Sequence, residues 1–219
     1  MIRESCENDF ALFKERNSFN KIMLEQFEEQ NMPLLVDRVF PMWKVDCKGD
    51  SFNRLYVEMI IRTNMHENGM QFQMSGKADG SGRNLKAVCF GAEINDTRSD
   101  DWYKKALESL SYEERAIFEN GRRYLLGMEE KTFSFMNADD VKLCLFISLE
   151  KGWGTKILRE AQKYFVEAGF KNLYLWTDGE CNVDWYFKNG FELVLEEEYS
   201  EFSLPGKPYL TYVFRKKLS

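Results

Sequence analysis

The spacing of apolar positions changes several times along the chain, and each change predicts an element. From Phe10 to Phe27, the residues Phe10, Phe13, Ile22, Met23 and Phe27 form a partial helical stripe on a charged background. Leu34, Leu35, Val36, Val39 and Phe40 follow between Pro33 and Pro41 and read as an apolar connector. A second helix is expected from about Phe52 to Met65, stopping before Gly69. The period then falls to two. Gln71 to Met74 alternates around Phe72 and Met74, and Leu85 to Ile94 supplies a second strand. Between them, Lys77 to Gly82 holds Asp79-Gly80 and Gly82, which suit the positive φ of a tight reversal, so the pair predicts an antiparallel hairpin. Helical spacing returns from Asp100 to Leu126, where Ser111 and Glu114 have the spacing of a capping box. This stretch, about 100–130, interrupts the strands as a helical insertion.

The last third is the most legible. Val141 to Ile147 (VKLCLFI) is a nearly unbroken apolar run, as in a strand covered on both faces. Ile157, Leu158, Ala161, Tyr164, Phe165 and Ala168 then fall at helical spacing, and Gly169 stands where a glycine stops a helix. Asn172 to Trp176 is a second short apolar strand. The two strands lie about 20 residues apart, the length of a crossover, and are expected to be parallel. A short helix at Asp184 to Lys188 and strands at Phe191–Leu195 and Tyr209–Phe214 complete the pattern.

Composition narrows the class. With 219 residues and 44% hydrophobic content, the chain can bury a sizeable core, and one domain over 1–219 is expected, with a helical part at 1–69 and a core at 141–214. No apolar run reaches the ~20 residues of a membrane span. Lys and Arg number 30 against 36 Asp and Glu, a net charge of −6 that argues against nucleic acid as a partner. Cys6, Cys47, Cys89, Cys144 and Cys181 are scattered, without a CxxC pair, which fits a reducing compartment. Met1 to Phe10 has no apolar signal region, so a cytoplasmic location is expected.

The candidate chemistry begins at Lys151-Gly152-Trp153-Gly154-Thr155, between the apolar strand and its helix. A helix start offers unpaired N–H groups and a partial positive charge, and two glycines let the backbone curl around an anion. Lys151 and Thr155 add a cation and a hydroxyl. A phosphate or diphosphate is the matching ligand; a plain tight turn has the same spelling. The loop is neither a GxxxxGK[ST] phosphate loop nor a GxGxxG dinucleotide loop.

Downstream, YLWTDGECNVDWYFKNGFELV (Tyr174 to Val194) resembles the segment LETSxxxNVxFYxKxGFEV of the GNAT superfamily of N-acetyltransferases, in its small-molecule branch. Within that branch the chain looks most similar to the puromycin-type enzymes, with a helical insertion before the fourth strand and a proline-bearing loop, here Leu204 to Pro208, before the last. The resemblance is firm over Val141 to Phe214 and extends to the rest only in element order. It implies an α/β fold with a mixed, mostly antiparallel sheet, flanked by helices, whose two central parallel strands splay apart to admit acetyl-CoA. By the same resemblance Lys151, Gly152, Trp153, Gly154 and Thr155 hold the diphosphate, Leu145, Phe146 and Ile147 offer backbone groups to the pantetheine, Asn182 belongs to the cofactor site and Tyr186 is the general acid. The acceptor would be a small-molecule amine attacking the thioester directly.

Three departures stand beside this. Leu149 occupies a position where the family carries Gln or Arg, the loop after Ile147 is shorter, and the fourth strand has no Glu or Asp to act as base. They leave a non-catalytic CoA-binding module as the alternative. Asp178 and Glu180, just past the second parallel strand, are left as the candidate bases. His66, the sole histidine, reads as a surface or capping residue, and Cys144 as a small buried hydrophobe. No metal is expected from one His and dispersed Cys. Trp43, Trp102, Trp176 and Trp185 read as core first and pocket lining second. The N-terminal helices and the insertion are left as either a substrate lid or the contact of a homodimer.

Overall fold

A computed structural model describes residues 24–46, 48–77 and 83–219. The stripe from Phe10 to Met23, the reversal at 78–82, Cys6 and Cys47 lie outside them. Among the described residues, seven strands make one mixed sheet. They are β1 (Glu25–Gln26), β2 (Gln71–Lys77), β3 (Arg83–Ala92), β4 (Asp140–Ser148), β5 (Asn172–Asp178), β6 (Glu192–Glu198) and β7 (Leu210–Lys217), in the order β1-β2-β3-β4-β5-β7-β6. All neighbours are antiparallel except β4 and β5. The helices are α1 (Met32–Trp43), α2 (Asp50–Thr63), α3 (Asp101–Glu108), α4 (Tyr112–Phe133), α5 (Trp153–Glu167) and α6 (Val183–Lys188).

Two cores sandwich the sheet. On one face, Ile157, Leu158, Ala161 and Phe165 of α5 pack on Phe72, Cys89, Val141, Leu143, Leu173 and Phe214. On the other, Leu35, Val36 and Val39 of α1 and Val57 and Ile61 of α2 cover Val88, Phe90, Leu145 and Ile147. Each large aliphatic or aromatic side chain buried this way contributes roughly 1.5–3 kcal/mol. The α3–α4 insertion packs onto α2 through Phe118, Phe52 and Met59. There a Cβ on Gly121 would come within 2.8 Å of the Tyr56 ring, so α4 carries glycine where the ring of α2 lies against it.

The expected connector at Pro33–Pro41 is helix α1. Pro33 sits in the first turn, where no N–H is required, whereas Pro41 lies inside the helix and gives up the bond that an N–H there would make to the Asp37 carbonyl. Burial of Leu35, Val36 and Val39 outweighs that loss. Phe27 belongs to no helix: it leaves β1 and packs edge-on against Phe90, with ring centroids 5.2 Å apart. The 100–130 insertion is two helices broken at Ser109–Ser111, and the second, begun by the Ser111/Glu114 capping box, runs on to Phe133. No helix of the described residues is long and apolar enough to cross a membrane.

The parallel pair is closed at one end only. Asp140 faces Asn172, Val141 faces Leu173 and Lys142 faces Tyr174; the pairing stops there. The buried Asp140 carboxylate pins this end, accepting from Asn172 Nδ2 at 2.6 Å and from the Asn137 amide at 2.8 Å. Beyond it, residues 143–148 of β4 pair with β3 alone and residues 175–178 of β5 with β7 alone. A β-bulge lies where the strands part: Phe90 faces Leu145 and Gly91 faces Leu143, leaving Cys144 unopposed.

Candidate active site

The open wedge between β4 and β5 forms a cavity of about 280 Å³ lined by Phe146, Ser148, Gly152, Gly154, Thr155, Asn182, Trp185 and Tyr186. Six of these eight were expected from the sequence. Ser148 was not, although it lies within a few residues of the glycine loop, and Trp185 takes the second of its two readings, pocket lining. The Phe146 and Trp185 rings meet across the wedge, 5.5 Å between centroids. Leu145 and Ile147 turn their side chains to α1 and α2, so only their backbone can serve the wedge. Trp153 packs against the α5 core, under the Lys156 ammonium at 4.4 Å, and Lys151 is exposed at the rim.

The start of α5 is partly self-satisfied. Gly152 caps it at φ +83°, a conformation glycine adopts without strain. Of the amides left over at a helix start, that of Trp153 donates to the Glu150 carbonyl at 3.2 Å and that of Gly154 to Ser148 Oγ at 2.9 Å. The amides of Gly152 and Thr155 remain to meet an anion. Leu149 is tied back, its amide to the Lys86 carbonyl at 2.9 Å and its carbonyl to Arg38 at 3.2 Å.

Asn182 caps α6, its side chain accepting the Trp185 amide at 3.3 Å, while also lining the wedge. Tyr186 stacks on Phe214 at 5.4 Å and meets Phe191 edge-on at 5.7 Å. Burial pushes its hydroxyl up to about 12, against a weaker downward pull from a hydrogen bond with Thr177. It therefore carries its proton at neutral pH. Asp178 is engaged, accepting from Tyr209 at 2.9 Å and from the Glu180 amide at 3.1 Å; Glu180 itself is exposed.

No family profile matches the sequence, and no curated protein does. Solved structures do match. The C-terminal condensation domain of Ebony in complex with beta-alanyl-dopamine aligns with a TM-score of 0.59 at 9% identity, over 90% of this chain and 99% of that one. An arylalkylamine N-acetyltransferase 2 from Aedes aegypti aligns at 0.52 and 12% identity, over 91% and 100%. An agmatine N-acetyltransferase aligns at 0.51 and 6% identity, over 90% and 99%. The chain has a GNAT fold. At these identities the likeness establishes architecture, and one architecture serves several chemistries, as the condensation domain illustrates.

On the GNAT scaffold a second feature lies beside the wedge, on the face opposite α5. His66 is buried (4% exposed), not a surface residue, and Cys144, half-buried and packed against the α1–α2 core, also lies beside charged groups. His66 Nε2 lies 3.3 Å from Glu129 Oε2, and Lys142 donates to the same oxygen at 2.9 Å. Arg98 pairs with the other Glu129 oxygen and reaches His66 Nε2 at 2.7 Å. Donor atoms of His66, Glu129 and Cys144 thus lie within 4.8 Å of one another, a convergence the sequence spacing hid. Both Glu129 oxygens are held by cations, so the cluster reads as an ion network.

His66 and Arg98 also line a cavity of about 380 Å³ between α2 and the insertion, with Arg62, Trp102, Tyr103 and Arg122. Arg122 lies over the Tyr103 ring at 3.8 Å and pairs with Asp100. Arg122 Nε and one terminal nitrogen of Arg98 are buried without a hydrogen-bond partner. Of the tryptophans, Trp102 lines this cavity and Trp185 the wedge, whereas Trp43 and Trp176 pack in cores.

Proposed function

We propose that the protein is an acetyl-CoA-dependent N-acetyltransferase acting on a small-molecule amine, in the manner of the puromycin-type branch. The observation that carries the reading is the wedge between β4 and β5, which brings the glycine loop, Asn182 and Tyr186 to one cavity. The unpaired edge of β4 from Leu143 to Ser148 suits the amide groups of a pantetheine chain, with Leu145, Phe146 and Ile147 contributing backbone groups. Lys151, Gly152, Trp153, Gly154 and Thr155 would meet the diphosphate. The insertion before β4 and the Leu204–Pro208 loop before β7 support the finer placement.

In this mechanism the neutral amine attacks the thioester carbon directly. The tetrahedral oxyanion is met by a β4 amide. Tyr186, protonated up to about pH 12, gives its proton to the departing CoA sulfur. The cavity between α2 and the insertion would seat the acceptor, and the three guanidinium groups that line it, of Arg62, Arg98 and Arg122, favour an amine that also bears a carboxylate. The free thiols Cys89, Cys144 and Cys181 accord with work in the cytoplasm.

The test is acetyl transfer from acetyl-CoA to tyramine, tryptamine, agmatine and L-tyrosine, read as acetylated product by mass spectrometry. Product from at least one amine, abolished or strongly reduced in Tyr186→Phe, is the expected result. Binding of acetyl-CoA without product from any amine would favour the non-catalytic CoA-binding module, whose motivation is the tied-back Leu149 loop.

A further inference from the structure

The loop that would meet a diphosphate carries a negative charge of its own. Glu150 is the one acidic residue between Asp140 and Glu160, and it stands two positions before Gly152, which lines the wedge. Its carbonyl closes the turn, accepting the Trp153 amide at 3.2 Å and the Ser148 hydroxyl at 2.7 Å. A bare carboxylate on this turn would repel a diphosphate.

Lys86 of β3 takes that carboxylate up. Against β2, Met74 faces Ala87 and Ser75 faces Leu85, so Lys86 is a bulged residue without an opposite number. A bulge re-aims a side chain, and this one sends the lysine stem past Gly76 and Trp153. A Cβ on Gly76 would fall 2.9 Å from Lys86 Cε and 3.2 Å from the Trp153 ring, so glycine there leaves room for the stem. Lys86 is only 9% exposed, and its Nζ donates to Glu150 Oε1. Its own carbonyl accepts the Leu149 amide at 2.9 Å. One residue of β3 therefore holds both Leu149 and Glu150, the former by its backbone and the latter by charge. The hold reaches α5 through Ser148, whose Oγ donates to the Glu150 carbonyl and accepts the Gly154 amide at 2.9 Å.

We propose that Lys86 is a positioning residue of the cofactor loop: it draws the Glu150 carboxylate away from the diphosphate of acetyl-CoA and cancels its charge. Lys86 itself does not line the wedge and acts through Glu150. The short turn with Leu149 is then a loop fixed from β3 and fit to receive the cofactor. The proposal rests on acetyl-CoA binding in the reading above, and not on the chemistry at Tyr186.

The experiment is calorimetry of acetyl-CoA with wild type, Lys86→Met and the double variant Lys86→Met/Glu150→Gln, at low and high KCl. Methionine keeps the aliphatic stem beside Gly76 and Trp153 and frees the carboxylate. Lys86→Met is expected to weaken binding about tenfold at low salt, the size of a few unit-charge repulsions near a wet surface. The loss should shrink at about 500 mM KCl, because exposed charges are screened there. The double variant should recover most of the affinity, since glutamine carries no charge to repel the diphosphate. Urea unfolding of each variant shows whether it is folded, and Lys86→Gln stands in if Lys86→Met is not. Wild-type affinity in Lys86→Met overturns the proposal. So does a loss that salt leaves unchanged or that persists in the double variant, either of which would make Lys86 a packing residue only. These results leave the acetyl-transfer reading standing. Failure of the wild type to bind acetyl-CoA overturns both.

Discussion

Ser148 Oγ accepts the amide N–H of Gly154 at 2.9 Å, so the last residue of β4 is stitched to the first turn of α5. The contact is tight. A Cβ on Gly154 would lie 3.0 Å from Ser148 Cβ and 3.2 Å from the Phe146 ring. Gly154→Ala improves helix propensity by about 1 kcal/mol, yet forcing the extra atom in costs roughly 1–3 kcal/mol. The net expectation is a variant with a lower urea midpoint and unchanged slope. A midpoint above that of wild type would show that Ser148 and Phe146 yield freely.

The wedge is filled on both sides by rings. Phe146 and Trp185 must part or tilt for a pantetheine chain to lie between β4 and β5. Acetyl-CoA should therefore change tryptophan emission, and Trp185→Phe should remove most of that change while binding persists. An equal change in the variant would place the perturbed indole elsewhere.

Tyr186 predicts one pH effect on stability and one effect on turnover. Its hydroxyl is raised on folding to about 12, whereas an unfolded tyrosine ionises near ~10. Above pH ~10 the unfolded chain binds fewer protons than the native one, so stability falls as pH rises toward 12. Burial pushes Tyr124 and Tyr209 the same way, with the Asp178 carboxylate adding to it. Tyr186→Phe should flatten part of this alkaline slope in denaturant titrations, and should lower kcat at least tenfold with little change in KM for acetyl-CoA. An unchanged kcat would remove Tyr186 from the chemistry.

The ion cluster makes an ordering prediction. Glu129→Gln leaves Arg98 and Lys142 buried without their countercharge, a loss of about 3–5 kcal/mol. Lys142→Met removes a surplus positive charge and keeps the aliphatic stem, so it should cost clearly less. Chemical denaturation of both variants gives the order; equal losses would mean that the cluster is balanced differently.

The legible part of this protein was the part where local pattern and topology agree. Val141–Ile147, the helix stopped by Gly169 (φ +94°) and the strand at Asn172 predicted a parallel crossover, and the structure has it. The capping box at Ser111 was readable because it is written within four residues. Two kinds of information were not. Pro33 and Pro41 read as punctuation, but Pro33 costs nothing in the first turn and the bond lost at Pro41 is outweighed by the buried middle of the helix. The second is long-range. His66, Arg98, Glu129 and Cys144 span 78 positions and meet only after α2, α4 and β4 are packed, so the histidine looked superficial. The bulge at Cys144 leaves no mark on the VKLCLFI run.

The acceptor cavity can be checked with a pair of amines that differ in one group. With Arg62, Arg98 and Arg122 lining the cavity, L-tyrosine should show a lower KM than tyramine, and Arg122→Met should reduce the difference. A preference for tyramine in the wild type would assign that cavity to something other than the acceptor.

The central claim is that acetyl-CoA lies in the β4–β5 wedge with its diphosphate at the start of α5. Calorimetric titration of wild type and Gly154→Glu with acetyl-CoA tests it most directly, because the new side chain would put both bulk and negative charge against Ser148 and Phe146. The account predicts binding at one site per chain in the wild type and its loss in a variant that still unfolds cooperatively. No binding by the wild type, or equal binding by both proteins, would contradict it.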